Sequence, residues 1–400
     1  MSRNYKITPE GTRDLLFEES RALREVQGRL SRLFVSRGYR EVFTPGLEYF
    51  DVFSIPGAAI AQQEMYKATD NHGRLLVFRP DSTLPMARMA ASRLQNEPRP
   101  LRLFYDQSVF RNRPDLSGRS DESPQMGIEL MGAGGLRADL EAVSLAAEAL
   151  RLVSADFRIE IGHALLFRAL ARRLDLSPEE TEELREAIES KNYGGLSVLL
   201  DSFGDDPAAQ AMQRLPRLFG GEEVLAQAQQ WLTDQESRTI LEEIRVLVNA
   251  LKQMGLEDHL MVDLGLVQRN DYYTGVVFSA YVEGQGDAIL SGGRYDGLCE
   301  KFGQEMPAIG FAMDLEAASA LIAETLSPEA PAEILIHGED GYETRAQQIA
   351  GETAAGGVRC EASVFPDLDT AVAYARQKGI PQVLAVGKEK RVIRTKEGEA

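Results

Sequence analysis

Gln125-Met126-Gly127-Ile128-Glu129-Leu130 is the stretch on which the reading of this chain turns. In an extended strand successive side chains alternate, so Gln125, Gly127 and Glu129 share one face while Met126, Ile128 and Leu130 share the other. A glycine between an amide and a carboxylate leaves a polar floor over which a small ligand lies close to the backbone. The spacing fits a solvent-exposed strand face equally well. Working outward, Leu101 to Arg111 reads as a partner strand across a Gly/Pro/Ser-rich loop. Residues 64–89 read as a hairpin turning at Asp70-Asn71-His72-Gly73 and running into Arg79-Pro80-Asp81-Ser82-Thr83. There a carboxylate and a hydroxyl two residues apart suit an ammonium group, or equally a helix cap.

Upstream, Leu23, Val26, Leu30, Leu33 and Phe34 recur at helical spacing, with Gly38 at the C-terminal cap. Downstream, from about Leu140 to Gln253, the pattern is helical. Ser177-Pro178-Glu179-Glu180 predicts a helix start with a capping box, and Ile240 to Leu251 a helix stopping near Gly255. Strands return at Met261 to Leu266, Thr274 to Val282 and Ala288 to Leu290, then a helix from Asp314 to Ala323. Asp271-Tyr272-Tyr273 sets two phenols beside an acid, a pattern also common in plain packing. Gly292-Gly293-Arg294-Tyr295-Asp296-Gly297 lines a site or makes a tight turn before a helix. After the linker Ser327 to Pro331, the tail alternates strand and helix, as a small α/β domain does.

Four hundred residues predict two or three domains. The formal charge is −18, of which residues 331–400 supply nine Lys/Arg against eleven Asp/Glu. Nucleic-acid binding needs a local cationic excess, and the average offers none. The four histidines are scattered without ligand spacing, so no metal site is predicted. Cys299 and Cys360 show no sign of pairing, which fits a reducing cytoplasm, and no apolar run is long enough to cross a bilayer.

Read in order, these segments resemble the class II histidyl-tRNA synthetases over roughly residues 5–320. Pro9-Glu10-Gly11-Thr12-Arg13-Asp14 is similar to that family's N-terminal signature, and Gly38 to Pro45 to its dimer-forming first motif. Phe110-Arg111, Gly118-Arg119 and Gln125 to Glu129 follow its second motif. Leu266-Val267, Asp271-Tyr272-Tyr273 and Gly292 to Leu298 resemble its histidine-specific region, and Gly310-Phe311-Ala312-Met313 its third motif. The resemblance implies an α+β fold: a class II antiparallel sheet flanked by helices over 1–325, a helical insertion at about 163–255, and the α/β domain at 331–400. It also implies a histidine pocket in which Asp81, Thr83 and Gln125 hold the amino group and Glu129 and Tyr273 read the imidazole. Tyr272, Tyr295 and Arg111 stand alongside, Arg111 able to hold an anion. Asp81 stands where the family usually has glutamate.

The departures from that family fall on its catalytic groups. Gln268 replaces the arginine that promotes activation, and Ala317 the arginine that backs ATP. Arg113 stands where a glutamate meets adenine, and Asp121 where an arginine is usual. Two lost charged hydrogen bonds amount to about 3–6 kcal/mol, or two to four orders of magnitude in rate. Arg269, next to the lost arginine, would point to the opposite face of an extended segment.

A synthetase-like body with a kept pocket and broken ATP motifs resembles the regulatory subunits of ATP phosphoribosyltransferase. That resemblance implies a non-catalytic partner of the short catalytic subunit, dimeric within a hetero-octamer, which serves the first step of histidine biosynthesis and its feedback control. It implies histidine as ligand and no cofactor, nucleic acid or membrane. The competing expectation is a divergent histidyl-tRNA synthetase or another ATP-dependent amino-acid ligase.

Overall fold

The computed structural model describes residues 6–113, 120–267 and 271–395. The chain divides at Leu326/Ser327 into two compact units. In the first, chain order runs α1 (Phe17–Ser36), β1 (Arg40–Glu41), β2 (Leu47–Tyr49), β3 (Lys67–Thr69), β4 (Leu75–Phe78), α2 (Thr83–Arg93), β5 (Leu101–Phe110), β6 (Glu122–Met131), α3 (Leu136–Arg151) and β7 (Phe157–His163). Helices α4 (Ala164–Arg173) to α9 (Gln235–Leu251) follow, interrupted by the short β8 (Phe219–Gly220). Then come β9 (Leu260–Asp263), β10 (Val276–Val282), β11 (Leu290–Arg294), β12 (Ala308–Asp314) and α10 (Leu315–Ala323).

A nine-stranded sheet in the order β1-β5-β6-β12-β11-β10-β7-β9-β8 carries the unit. It is parallel at β1–β5 and β7–β9 and antiparallel elsewhere, so the sheet is mixed rather than purely antiparallel. The alternation in β6 sorts its two faces. Met126, Ile128 and Leu130 join Phe104, Phe278 and Phe311 in a core covered by Ala22, Val26, Leu30 and Phe34 of α1. Burying each large apolar side chain there contributes about 1.5–3 kcal/mol. On the opposite face Leu103, Tyr105 and Val277 pack with Leu84 and Met86 of α2. Registers Gly127↔Tyr105, Gly127↔Ala312, Glu129↔Gly310 and Gly310↔Gly293 bring glycines of three strands together on this face, and neighbouring side chains fill the space their Cβ atoms would take.

Several expectations need correcting. The hairpin ends at Phe78, and residues 83–93 form α2 instead. Its run is rich in alanine, methionine and leucine, and Pro85 falls in the first turn, where its missing N–H costs nothing. Within the stretch read as helical, Phe157–His163 is a central strand whose Phe157, Ile159 and Ile161 all enter the core. Gly292-Gly293-Arg294 belongs to β11 rather than to a turn. Ser177 does form a capping box with Glu180.

The second unit is a four-stranded sheet, β14 (Cys360–Ala362), β13 (Ile334–Gly338), β15 (Gln382–Val386) and β16 (Lys390–Arg394), in that order, with α11 (Glu343–Ala355) and α12 (Leu368–Lys378). Its short β14 and edge strand β16 carry no alternation strong enough to predict them. Among the described residues no helix is long and apolar enough to cross a membrane, and no group of His, Cys, Asp or Glu is placed to hold a metal ion.

Candidate amino-acid pocket and the adjoining cleft

The pocket begins with a buried cation. The Arg79 guanidinium, 4% exposed, donates to the carbonyls of Ser108, Thr44 and Pro45 at 2.7–3.1 Å. Arg111 Nε donates to Pro80 O at 2.9 Å. These bonds fix the segment that delivers Asp81 to the start of α2. Asp81 Oδ1 accepts from Leu84 N at 2.9 Å, capping the helix, while Oδ2 accepts from the Tyr272 hydroxyl at 3.3 Å. The capping reading of this segment is thus met by Asp81, whose second oxygen is turned toward Tyr272.

Glu129, 1% exposed, sits at the centre. Thr83 Oγ1 donates to its Oε1 at 2.9 Å, and the Tyr295 hydroxyl donates to Oε2. A Cβ on Gly310 would lie 1.9 Å from Glu129 Oε2 and 2.4 Å from Ile128 O, so no side chain is tolerated opposite this carboxyl. A Cβ on Gly293 would lie 2.8 Å from the Tyr273 ring, and one on Gly127 2.6 Å from the Tyr105 hydroxyl. Arg168 holds Tyr273 from outside by donating to its carbonyl at 2.7 Å. The Tyr272 ring lies 4.9 Å from that of Tyr273 and 5.9 Å from that of Tyr295.

Burial pushes the Glu129 carboxyl up to about 8, against the Tyr295 and Thr83 bonds that favour its ionised form. Burial also raises Asp81, against the pull of Arg111. A cation entering this buried chamber would meet two acceptors whose ionised forms it favours. Asp81, Thr83, Glu129, Tyr272, Tyr273 and Tyr295 are therefore one cluster, drawn from four separate segments. Sequence reasoning missed three residues here. Tyr105 and Gly310 complete the chamber, the latter readable only as a close approach. Gln107 lies on the same sheet face, its Oε1 held by Thr44 and its Nε2 buried without a partner among the described residues.

Arg111, close enough to act on the Asp81 charge, and Gln125 line an adjoining cleft of about 1060 Å³. Its described lining sets four basic side chains (Arg13, Arg111, Arg113 and Lys191) against eight carboxylates. A triphosphate would enter against that field. Glu316 at the cleft's edge is held by Arg13 Nε at 2.6 Å and Ser120 Oγ at 3.1 Å. Asp121 N donates to Gly11 O at 2.7 Å, and the Asp121 carboxylate accepts from the Tyr66 hydroxyl. Ala317 spends its N–H on the capping Asp314 at 3.0 Å and presents only a methyl. Deeper in, burial and Asp263 raise Glu160 to about 7. Gly118, Arg119, Gln268, Arg269 and Asn270 lie outside the described residues.

The family model for histidyl-tRNA synthetase matches residues 11–318. Curated proteins are similar over nearly the whole length. The ATP phosphoribosyltransferase regulatory subunit of Clostridium novyi (strain NT) is 36% identical over 392 residues, covering 96% of this chain and 93% of that protein. That of Bacillus thuringiensis (strain Al Hakam) is 35% identical over 414 residues, covering 100% and 98%. The chain belongs to the ATP phosphoribosyltransferase regulatory subunit family. Within solved structures, a regulatory subunit/histidyl-tRNA synthetase from Bacillus halodurans C superposes with a TM-score of 0.81 at 29% identity, covering 96% of this chain and 99% of that one. A histidyl-tRNA synthetase from Nostoc sp. PCC 7120 superposes with a TM-score of 0.70 at 20% identity over 98% and 95%, which shows a shared fold. Family membership confirms the synthetase-like architecture expected from the motifs.

Proposed function

We propose that this chain is the non-catalytic regulatory subunit of an ATP phosphoribosyltransferase, working with a short catalytic subunit at the first step of histidine biosynthesis. The observation that carries this reading is similarity at 35–36% identity, across essentially the full chain, to proteins that bear that name. In this reading free histidine enters the buried chamber. Asp81, Thr83 and Gln125 take its amino group, Glu129 and Tyr273 read its imidazole beside Tyr272 and Tyr295, and Arg111 faces its carboxylate. The acidic cleft, the tie between Arg13 and Glu316 and the methyl of Ala317 support the absence of adenylation. Feedback then needs histidine to favour the inhibited arrangement of the complex over the active one by its binding free energy.

Self-association as a dimer within a hetero-octamer is part of the proposal. Phe43, Leu47, Tyr49 and Phe78 are 69%, 45%, 43% and 39% exposed around the first-motif segment, an apolar surface that a second copy would cover. Mixing the chain with a short-form catalytic subunit tests the reading by sedimentation velocity. A hetero-oligomer heavier than either component supports it, and two independent boundaries refute it. The match to the synthetase model favours one second reading, a divergent histidyl-tRNA synthetase. Histidine-dependent ATP–pyrophosphate exchange would establish that enzyme and exclude the regulatory one.

A further inference from the structure

Away from the amino-acid chamber, a second cavity of about 610 Å³ opens between α9, the start of α3 and the strand ends carrying Val276 and Arg294. Its walls are apolar: Leu136, Ile240, Ile244, Val246, Leu247 and Val276. Its polar groups are mostly acceptors. Asp139, Asp296, Glu236, Glu242 and Glu243 line it. Arg294 holds both Asp139 and Asp296, at 2.5 and 2.9 Å, and is itself buried. Arg172 pairs with Glu236, and Arg245 with Glu242.

Glu243 has a different partner. His163 Nε2 lies 3.1 Å from Glu243 Oε2, and His163 Nδ1 accepts from the Leu165 N–H at 3.3 Å. Five carboxylates meet three arginines and one imidazole, leaving an excess of carboxylates at the mouth of an apolar chamber. That combination fits a long basic side chain, whose methylenes lie along the walls while its head reaches the carboxylates.

We propose that this cavity is a docking site for a lysine or arginine side chain presented by the catalytic partner subunit. The proposal rests on the regulatory-subunit reading. A protein partner, rather than a free small cation, is favoured by the rim, where Leu136 and Val246 are 38% and 39% exposed and need covering. The chain's net charge of −18 gives long-range attraction to a basic surface.

The test titrates the fluorescently labelled chain with the short catalytic subunit at two salt concentrations. Val246→Lys and Thr239→Lys put cations into the mouth at exposed positions, which spares the fold. Each is expected to weaken assembly about tenfold or more, while histidine binding to the isolated chain is unchanged. Glu243→Gln keeps an acceptor for His163, weakens assembly about threefold to tenfold and flattens its salt dependence. Assembly of both lysine variants as tight as wild type overturns the docking site and leaves the regulatory reading standing. No wild-type complex overturns both. Variants that change only self-association would assign the surface to a second copy, and saturable binding of arginine amide to the isolated chain, lost in Val246→Lys, would assign it to a small cation. Either result overturns the proposal.

Discussion

Replacing Glu129 by glutamine tests the physical state of the chamber. The carboxyl is buried and its pKa is raised from 4.5 to about 8, so in the folded protein it is protonated through neutral pH. The unfolded chain ionises the same group near its ordinary value. Between these two values the folded state binds more protons, so its stability falls as pH rises. The contribution is fully present below about pH 4.5 and is lost by the time pH passes about 8. Integrated from pH 5.5 to 7.5, the loss is about 2–3 kcal/mol. Glutamine mimics the protonated acid and still accepts from Thr83 or Tyr295, but it does not titrate. Urea midpoints of both proteins at pH 5.5, 6.5 and 7.5 read the effect, since every other titrating group is shared. The wild type should lose stability relative to Glu129→Gln as pH rises, by about 1 kcal/mol per unit. Parallel curves, or a wild type that gains on the variant, would show that the carboxylate is already ionised and that the buried chamber is wrongly described.

Other perturbations reach the same site from different sides. Thr83→Val and Tyr295→Phe each remove one hydroxyl from Glu129 and should cost about 0.5–1.5 kcal/mol of histidine affinity by calorimetry; unchanged Kd values would detach Glu129 from ligand binding. Gly310→Ala drives a methyl into Glu129 Oε2 and Ile128 O, and should cost about 1–3 kcal/mol of stability together with measurable histidine binding. Normal binding by that variant would contradict the close approach. Leu30→Ala, in the fully buried stripe of α1, should cost about 2–5 kcal/mol in urea without altering the chamber. Phe43→Asp places a charge on the exposed first-motif surface and should shift micromolar sedimentation from dimer to monomer; an undisturbed dimer would locate self-association elsewhere.

The sequence shows some of this directly. Strand β6 is legible because its alternation separates Met126, Ile128 and Leu130 from Gly127 and Glu129, and the structure puts those sets on opposite faces. α1 is legible because one continuous apolar stripe is buried. β7 alternates as clearly, but its Phe157, Ile159 and Ile161 follow the long helix α3 and lead into α4, so the helical neighbours mask it. Helix α2 is hidden by its entry, because Arg79-Pro80-Asp81 reads as a turn until Asp81 is seen capping Leu84. The site is a different case. Thr83, Glu129 and Tyr295 meet although 46 and 166 residues separate Glu129 from its two partners, and only the motif resemblance linked them beforehand. No local pattern announces that Gly310 is glycine because a carboxylate occupies the space of its Cβ. Nor does any pattern foretell that Glu316 is held by Arg13, 303 residues away.

The central claim is that this chain controls a partner's chemistry and performs none of its own. The most direct measurement is the phosphoribosyltransferase turnover of the short catalytic subunit, alone, with this chain, and with this chain plus histidine. Turnover that rises on addition of the chain and falls again with histidine is the predicted result. Turnover indifferent to the chain would contradict the account.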